Sequence, residues 1–321
     1  MKKIITCLAV ALCTTSAFSQ YYINTYNPAG MNPGGLNTDA EQPFGAAGVT
    51  AADGYSQLIA ASTSTPALQW SANQTIPFAF SFNGTAETQF KVSNSGILTF
   101  STAAAAIPST TNASIPNVEI PDKSVMIWGL SQGSGNDAVL MKTHGTAPNR
   151  QLWINFASYS SPESAGQQWT YWGIVLEETT NNIYIADLRT FQTSLSLTLG
   201  VQVDVTTAYE ITGAPATTSF VTNGGNASDP TDNVYYEFIQ GNRPTEDIQL
   251  TNIDIPASVD ASSAVTINGT IVNKGSANLT SFDVSWKDAS GTVNSQAYVA
   301  NVAPLASYSF THNTTWSPTL G

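Results

Sequence analysis

PFAFSFNGTAETQFKVSNSGILTF, residues 77–100, is the stretch whose reading decides the fold. Phe78, Phe80 and Phe82 alternate with Ala79 and Ser81, the period of a strand with one buried face. Asn83-Gly84 is the residue pair that tight hairpins prefer, because both positions tolerate positive φ. Gln89 to Val92 resumes the alternation, Asn94-Ser95-Gly96 turns the chain again, and Leu98 and Phe100 face inward next. The stretch predicts a β-meander that lays Phe, Val and Leu into a sandwich core.

The same pattern extends outward. Strands are expected at 124–130, 138–143, 151–158, 169–177, 182–188, 196–203 and 234–239, with turns such as Thr180-Asn181-Asn182 between them. Helical periodicity is almost absent, so residues 69–243 read as an all-β, jelly-roll-like sandwich. Before it, residues 20–68 are rich in Gly, Pro and Asn and predict an irregular lead-in with one short strand. After Pro244 the pattern restarts with five short strands, at 247–255, 264–272, 280–287, 293–299 and 307–312. Phe282, Val284 and Trp286 share one face of the third, as in an immunoglobulin-like sandwich. Such a sandwich needs about seven strands, so the module over 244–321 is expected to be incomplete.

Composition supplies an address. Lys2 and Lys3, an apolar run from Ile4 to Cys13 and a small-residue end at Ala17-Phe18-Ser19 read as a signal peptide over residues 1–19. The run is shorter than the roughly 20 residues a spanning helix needs, and no later stretch is apolar enough to span a bilayer. Export to the exterior or the outer cell surface is expected. Both cysteines, Cys7 and Cys13, lie in the leader, so disulfides, cysteine nucleophiles and Cys-ligated zinc are excluded from the rest. The net charge is −12, and loss of the two leader lysines makes it −14, which opposes binding to nucleic-acid phosphates.

Residues 77–100 are similar to a turn-and-core pattern of the N-terminal domain in large secreted bacterial proteins that use type IX secretion. HGTAPNRQLWINFASY, at 144–159, and YWGIVLEETTNNIYI, at 171–185, look like further segments of that domain. VTINGTIVNKGSANLTSFDVSW, at 265–286, and SYSFTHNTTW, at 307–316, resemble the CARDB-like immunoglobulin-fold module that often follows. These motifs are made of turns and core positions, and the resemblance implies architecture, with any catalytic or sorting domain lying beyond Gly321.

The candidate chemistry is sparse. His144 and His312 fall in different domains, with no Gly-x-Ser-x-Gly elbow or equivalent nearby. Glu177 and Glu178 suggest a glycosidase pair, but neighbours on a regular strand point to opposite faces and cannot flank one sugar bond. Asp187 on the next strand is the other possible carboxylate partner. No catalytic residue is assigned. Trp169, Tyr171 and Trp172 form an aromatic cluster that could stack on glycan, with Trp169 and Tyr171 on one face and Trp172 on the other; core packing is the default for such rings. Asn226, Asp229, Asp232 and Asn233 gather oxygens that could hold calcium, the one cofactor entertained, although ordinary turn chemistry also explains them. The expected function is a non-catalytic exported module that binds or spaces, with glycan or a surface protein as partner. The alternative is the accessory N-terminal part of a secreted enzyme: a glycoside hydrolase, a peptidase or a thioredoxin-like protein.

Overall fold

The computed structural model describes residues 20–26, 33–39, 54–62, 65–133, 135–160, 169–190, 195–211, 217–218, 233–256, 258–261 and 263–318. It is all-β: among the described residues the one helical piece is the three-residue turn Pro33–Gly35. No described helix is long and apolar enough to cross a membrane. The chain divides into two compact units between Gly241 and Asn242.

The first unit is a sandwich of antiparallel sheets. Its strands are β1 (Tyr21–Tyr26), β2 (Ser56–Ile59), β3 (Gln74–Phe82), β4 (Thr85–Val92), β5 (Ile97–Thr99), β6 (Ser124–Trp128), β7 (Ala138–Thr146), β8 (Asn149–Tyr159), β9 (Thr170–Glu177), β10 (Ile183–Thr190), β11 (Leu195–Ser196), β12 (Thr198–Asp204), β13 (Thr207–Glu210), β14 (Thr217–Thr218) and β15 (Val234–Gln240). One sheet has the order β1-β15-β10-β9-β8-β7-β2, the other β13-β12-β6-β5-β4-β3, and β11 pairs with β14 separately. Residues 20–68, expected to be irregular with one short strand, contribute both edge strands of the larger sheet, β1 and β2.

The opening stretch folds as its pattern implies. Asn83 and Gly84 both have positive φ, 47° and 77°, which gives a two-residue link the twist that matches its flanking strands. Phe78, Phe80, Phe82, Phe90, Val92, Leu98 and Phe100 all enter the core between the two sheets, where Leu152, Ile154, Phe156, Trp172, Ile174 and Phe238 meet them. The second turn is buried and polar. The Ser93 hydroxyl accepts from the amides of Ser95 and Ile97, and Asn94 bonds the lead-in backbone at Ala67 and Gln69. This turn is therefore an internal clamp, holding the lead-in against the sheet.

The second unit contains β16 (Ile248–Asp254), β17 (Asn268–Asn273), β18 (Leu279–Lys287), β19 (Val293–Val302) and β20 (Ser307–Thr311). They form a three-stranded sheet, β16-β17-β20, and a two-stranded one, β18-β19. The core between them is small, with Ile271, Tyr298 and Phe310 buried and Phe282 stacked on Tyr298 at 5.2 Å.

Candidate functional site

The larger sheet buries both of its faces. One packs on the smaller sheet; the other carries a second apolar cluster that includes Tyr55, Leu140, Trp153, Tyr171, Val175, Tyr184 and Ala186. Successive strands align these outer residues in register: Lys142 lies opposite Trp153, Trp153 opposite Val175, Val175 opposite Tyr184, Tyr184 opposite Glu237, and Glu237 opposite Asn24. Polar and titratable groups surround this row.

At its centre two carboxylates meet one phenol. The Tyr184 hydroxyl lies 3.2 Å from an oxygen of Glu177 and 3.0 Å from one of Glu237. Burial, with the charges of Glu237 and Glu177 after it, pushes the Tyr184 phenol far above its ordinary value. Gln151 and Thr180 also donate to Glu177, at 2.9 and 2.6 Å. Asn182 and Tyr26 donate to Glu237, each at 3.0 Å. Gln151 further donates to the backbone carbonyl of Pro33, which ties the lead-in onto this face.

Glu178 takes the other direction. It receives two hydrogen bonds from the Arg150 guanidinium, at 2.8 and 2.6 Å, and that guanidinium sits 5.4 Å from the ring centre of Phe78. The Arg150 bonds hold the Glu178 carboxyl below its usual range. The neighbours thus diverge as strand geometry requires, and the carboxylate brought close to Glu177 is Glu237, which sequence reasoning missed. Nothing local could have found it, because the two meet only through the pairings of β10 with β9 and β15. Asp187 is buried and accepts from Thr190 at 2.9 Å.

A second polar group closes the other end of the row. Lys142 forms an ion pair with Asp39, the Tyr55 hydroxyl donates to Asp39 at 2.8 Å, and the Lys142 ammonium lies 4.8 Å over the Tyr55 ring. Burial alone would raise the Asp39 carboxyl, but the bonds from Lys142 and Tyr55 and the Lys142 charge together hold it below its ordinary value. His144 lies nearby, buried, edge-on to Trp153 at 6.2 Å, and its Nε2 has no hydrogen-bond partner. Burial lowers its pKa, against the pull of Asp39 and with the push of Lys142. Both amide atoms of Asn155 are likewise buried without partners. His312, in the second unit, accepts from the amide of Thr314 at 3.0 Å and from Trp286 at 3.4 Å.

The aromatic cluster is split by the pleat. Trp172 is fully buried between the two sheets, where its indole N–H donates to Thr170 at 2.7 Å. Tyr171 is buried in the outer cluster, with Trp169 packed edge-on to it at 5.7 Å. Trp169 is half-buried, and the Arg189 guanidinium lies 4.5 Å from its ring centre. The three rings therefore do not make a shared stacking surface: Tyr171 and Trp172 belong to the two cores, and Trp169 alone reaches the surface. Of the calcium candidates, Asn226, Asp229 and Asp232 lie outside the described residues; Asn233 is buried. Among the described residues no group of three or more His, Cys, Asp or Glu side chains could hold a metal ion.

No curated protein and no solved structure matches the chain. A family model described as NIDO related matches residues 49–240, which takes in β2 to β15 and more than half of the chain. The meander and most of the outer row, including Glu177, Tyr184 and Glu237, lie within that match, while β1 and Asp39 precede it, and the chain belongs to the NIDO-related family.

Proposed function

We propose that the chain is a non-catalytic, exported module that binds or spaces, with extracellular glycan or a surface protein as its partner. The reading is carried by how Glu177, Glu178, Asp187 and Glu237 are used. Each accepts hydrogen bonds from neighbouring strands or turns, and a general acid or base must instead reach a substrate proton. The basic, then apolar, leader supports export. The motifs of 77–100, 144–159 and 171–185 support a type IX-exported protein, and those of 265–286 and 307–316 a CARDB-like second module. Membership of the NIDO-related family supports a binding role without naming the ligand.

Glycan contact, on this reading, rests on Trp169 and the Arg189 that covers it. A glycan array with the wild-type chain and Trp169→Ala tests it. The expected result is retention by the wild type and loss by a variant that keeps its circular dichroism and melting temperature. No retention by either protein removes glycan as the partner. Turnover in a glycan and peptide hydrolysis screen, abolished by Glu177→Gln, overturns the non-catalytic reading.

A further inference from the structure

Residues 33–39 of the lead-in are tied to the outer face of the larger sheet at two places, with His144 between them. At one end the carbonyl of Pro33 accepts from Gln151 at 3.0 Å, and the Leu36 side chain comes within 3.2 Å of where a Cβ on Gly145 would stand. At the other end Asp39 pairs with Lys142 and accepts from Tyr55 at 2.8 Å. Lys142, His144 and Gly145 stand close together on β7, and His144 lies opposite Gln151 of β8. By the alternation of the strand the His144 imidazole shares the outer face with Lys142, so the segment passes over it. His144 is 7% exposed, and its Nε2 is buried with no partner.

A protonated imidazole donates from both nitrogens, and the closed face offers Nε2 no acceptor. The charged groups that act on it are Asp39 from the segment and Lys142 from its own strand. The Asp39 carboxylate is already engaged by Lys142 and Tyr55. From β8 come the neutral Gln151 and Trp153, and Glu177 of β9 lies opposite Gln151 and accepts from it. Arg150 turns instead to Glu178. We propose that residues 33–39 form an acid-released strap, which closes over neutral His144 and lifts when the imidazole takes up a proton. Lifting gives the Nε2–H to water. It also frees the Gln151 amide that the strap shares with Glu177, which links the strap to the carboxylate–phenol row.

Linkage sets the size of the effect. Burial holds His144 below its ordinary 6.5 under the strap, so beneath that pH the open chain takes up a proton that the closed chain refuses. Opening is then favoured about 1.3-fold at pH 7 and up to about thirtyfold at pH 5, the ratio of total to neutral imidazole in the open chain. Amide hydrogen exchange on the full chain tests this, with each rate divided by the intrinsic rate at its pH. Protection of the amides of residues 34–39 should fall about tenfold to 25-fold from pH 7 to pH 5. It should stay below that of β8 at both values, because the strap lifts without unfolding the sheet. In His144→Leu the fall should disappear, and His144→Gln gives the same readout if the leucine variant folds poorly. Asp39→Asn should lower protection about threefold at both pH values, the worth of a partly exposed ion pair, and leave the fall in place. Protection in the segment equal to that of β8 means that it opens only with the whole unit, and overturns the proposal. So does a fall of the same size in the His144 variants.

Discussion

Two buried side chains in the outer row set measurable properties. The Tyr184 hydroxyl reaches both Glu177 and Glu237. Tyr184→Phe leaves the ring packing and removes the shared donor, so chemical denaturation should show a loss of about 1–3 kcal/mol, the cost of leaving a buried polar partner unmet. His144 acts through pH. Its folded pKa is depressed by burial, so below about 6.5, its ordinary value, the unfolded chain takes up a proton that the folded chain refuses. Stability should therefore fall as the pH drops from 7 toward 5. His144→Leu should flatten that slope relative to wild type when urea midpoints are compared at the two pH values. Asp39 acts with the same sign in a lower window: its carboxyl is held down, so its contribution is present above about 3.8, its ordinary value, and is lost only further into acid.

At the scale of single elements, the start of the opening stretch was legible because β3 has one wet face. β3 alternates buried and exposed positions from Ile76 to Phe82, which is what a period of two reports. β8 is buried along almost its whole length, on both faces, so its sequence carries no alternation and cannot say that a further layer covers it. The pleat separating Trp172 from Tyr171 and Trp169 was readable, and core packing was the default for these rings, while the second buried cluster on the outer face was not. Turn glycines show a similar split. Gly96 has φ of 90°, and a Cβ there would stand 2.0 Å from the carbonyl oxygen of Ile127. Gly96→Ala should cost at least about 3 kcal/mol, since strain and a backbone clash add. Gly241 has φ of 115° but nothing within 4 Å of the same position, so Gly241→Ala should cost only about 1–2 kcal/mol, the conformational term alone. Comparing the two melting temperatures separates clash from torsion.

For the whole molecule, the sandwich class and the restart of strand pattern after Pro244 were legible, because composition and turn spacing repeat along the chain. The pairing of β1 with β15 was not. It joins Tyr21 to Gln240, side chains 219 positions apart, and a lead-in rich in Gly and Pro gives no local sign of that partner. The Glu177–Glu237 meeting was hidden for the same reason, since it too depends on where β15 docks.

That pairing also constrains when the first unit can form. β15 sits between β1 and β10, and the amide of Gly241 closes onto the carbonyl of Gln20 at 2.6 Å. A chain emerging from its N-terminus must therefore hold its first strand unused until its last has appeared. Contacts this distant in sequence slow folding, and until they form the outward edges of both β1 and β10 are open to other chains. A nascent chain halted at Asn233 should remain aggregation-prone, scattering light and binding hydrophobic dyes. Extension by the next seven or eight residues should convert it abruptly to a soluble, protease-resistant form. If resistance instead grows gradually with chain length, the last strand is not the latch.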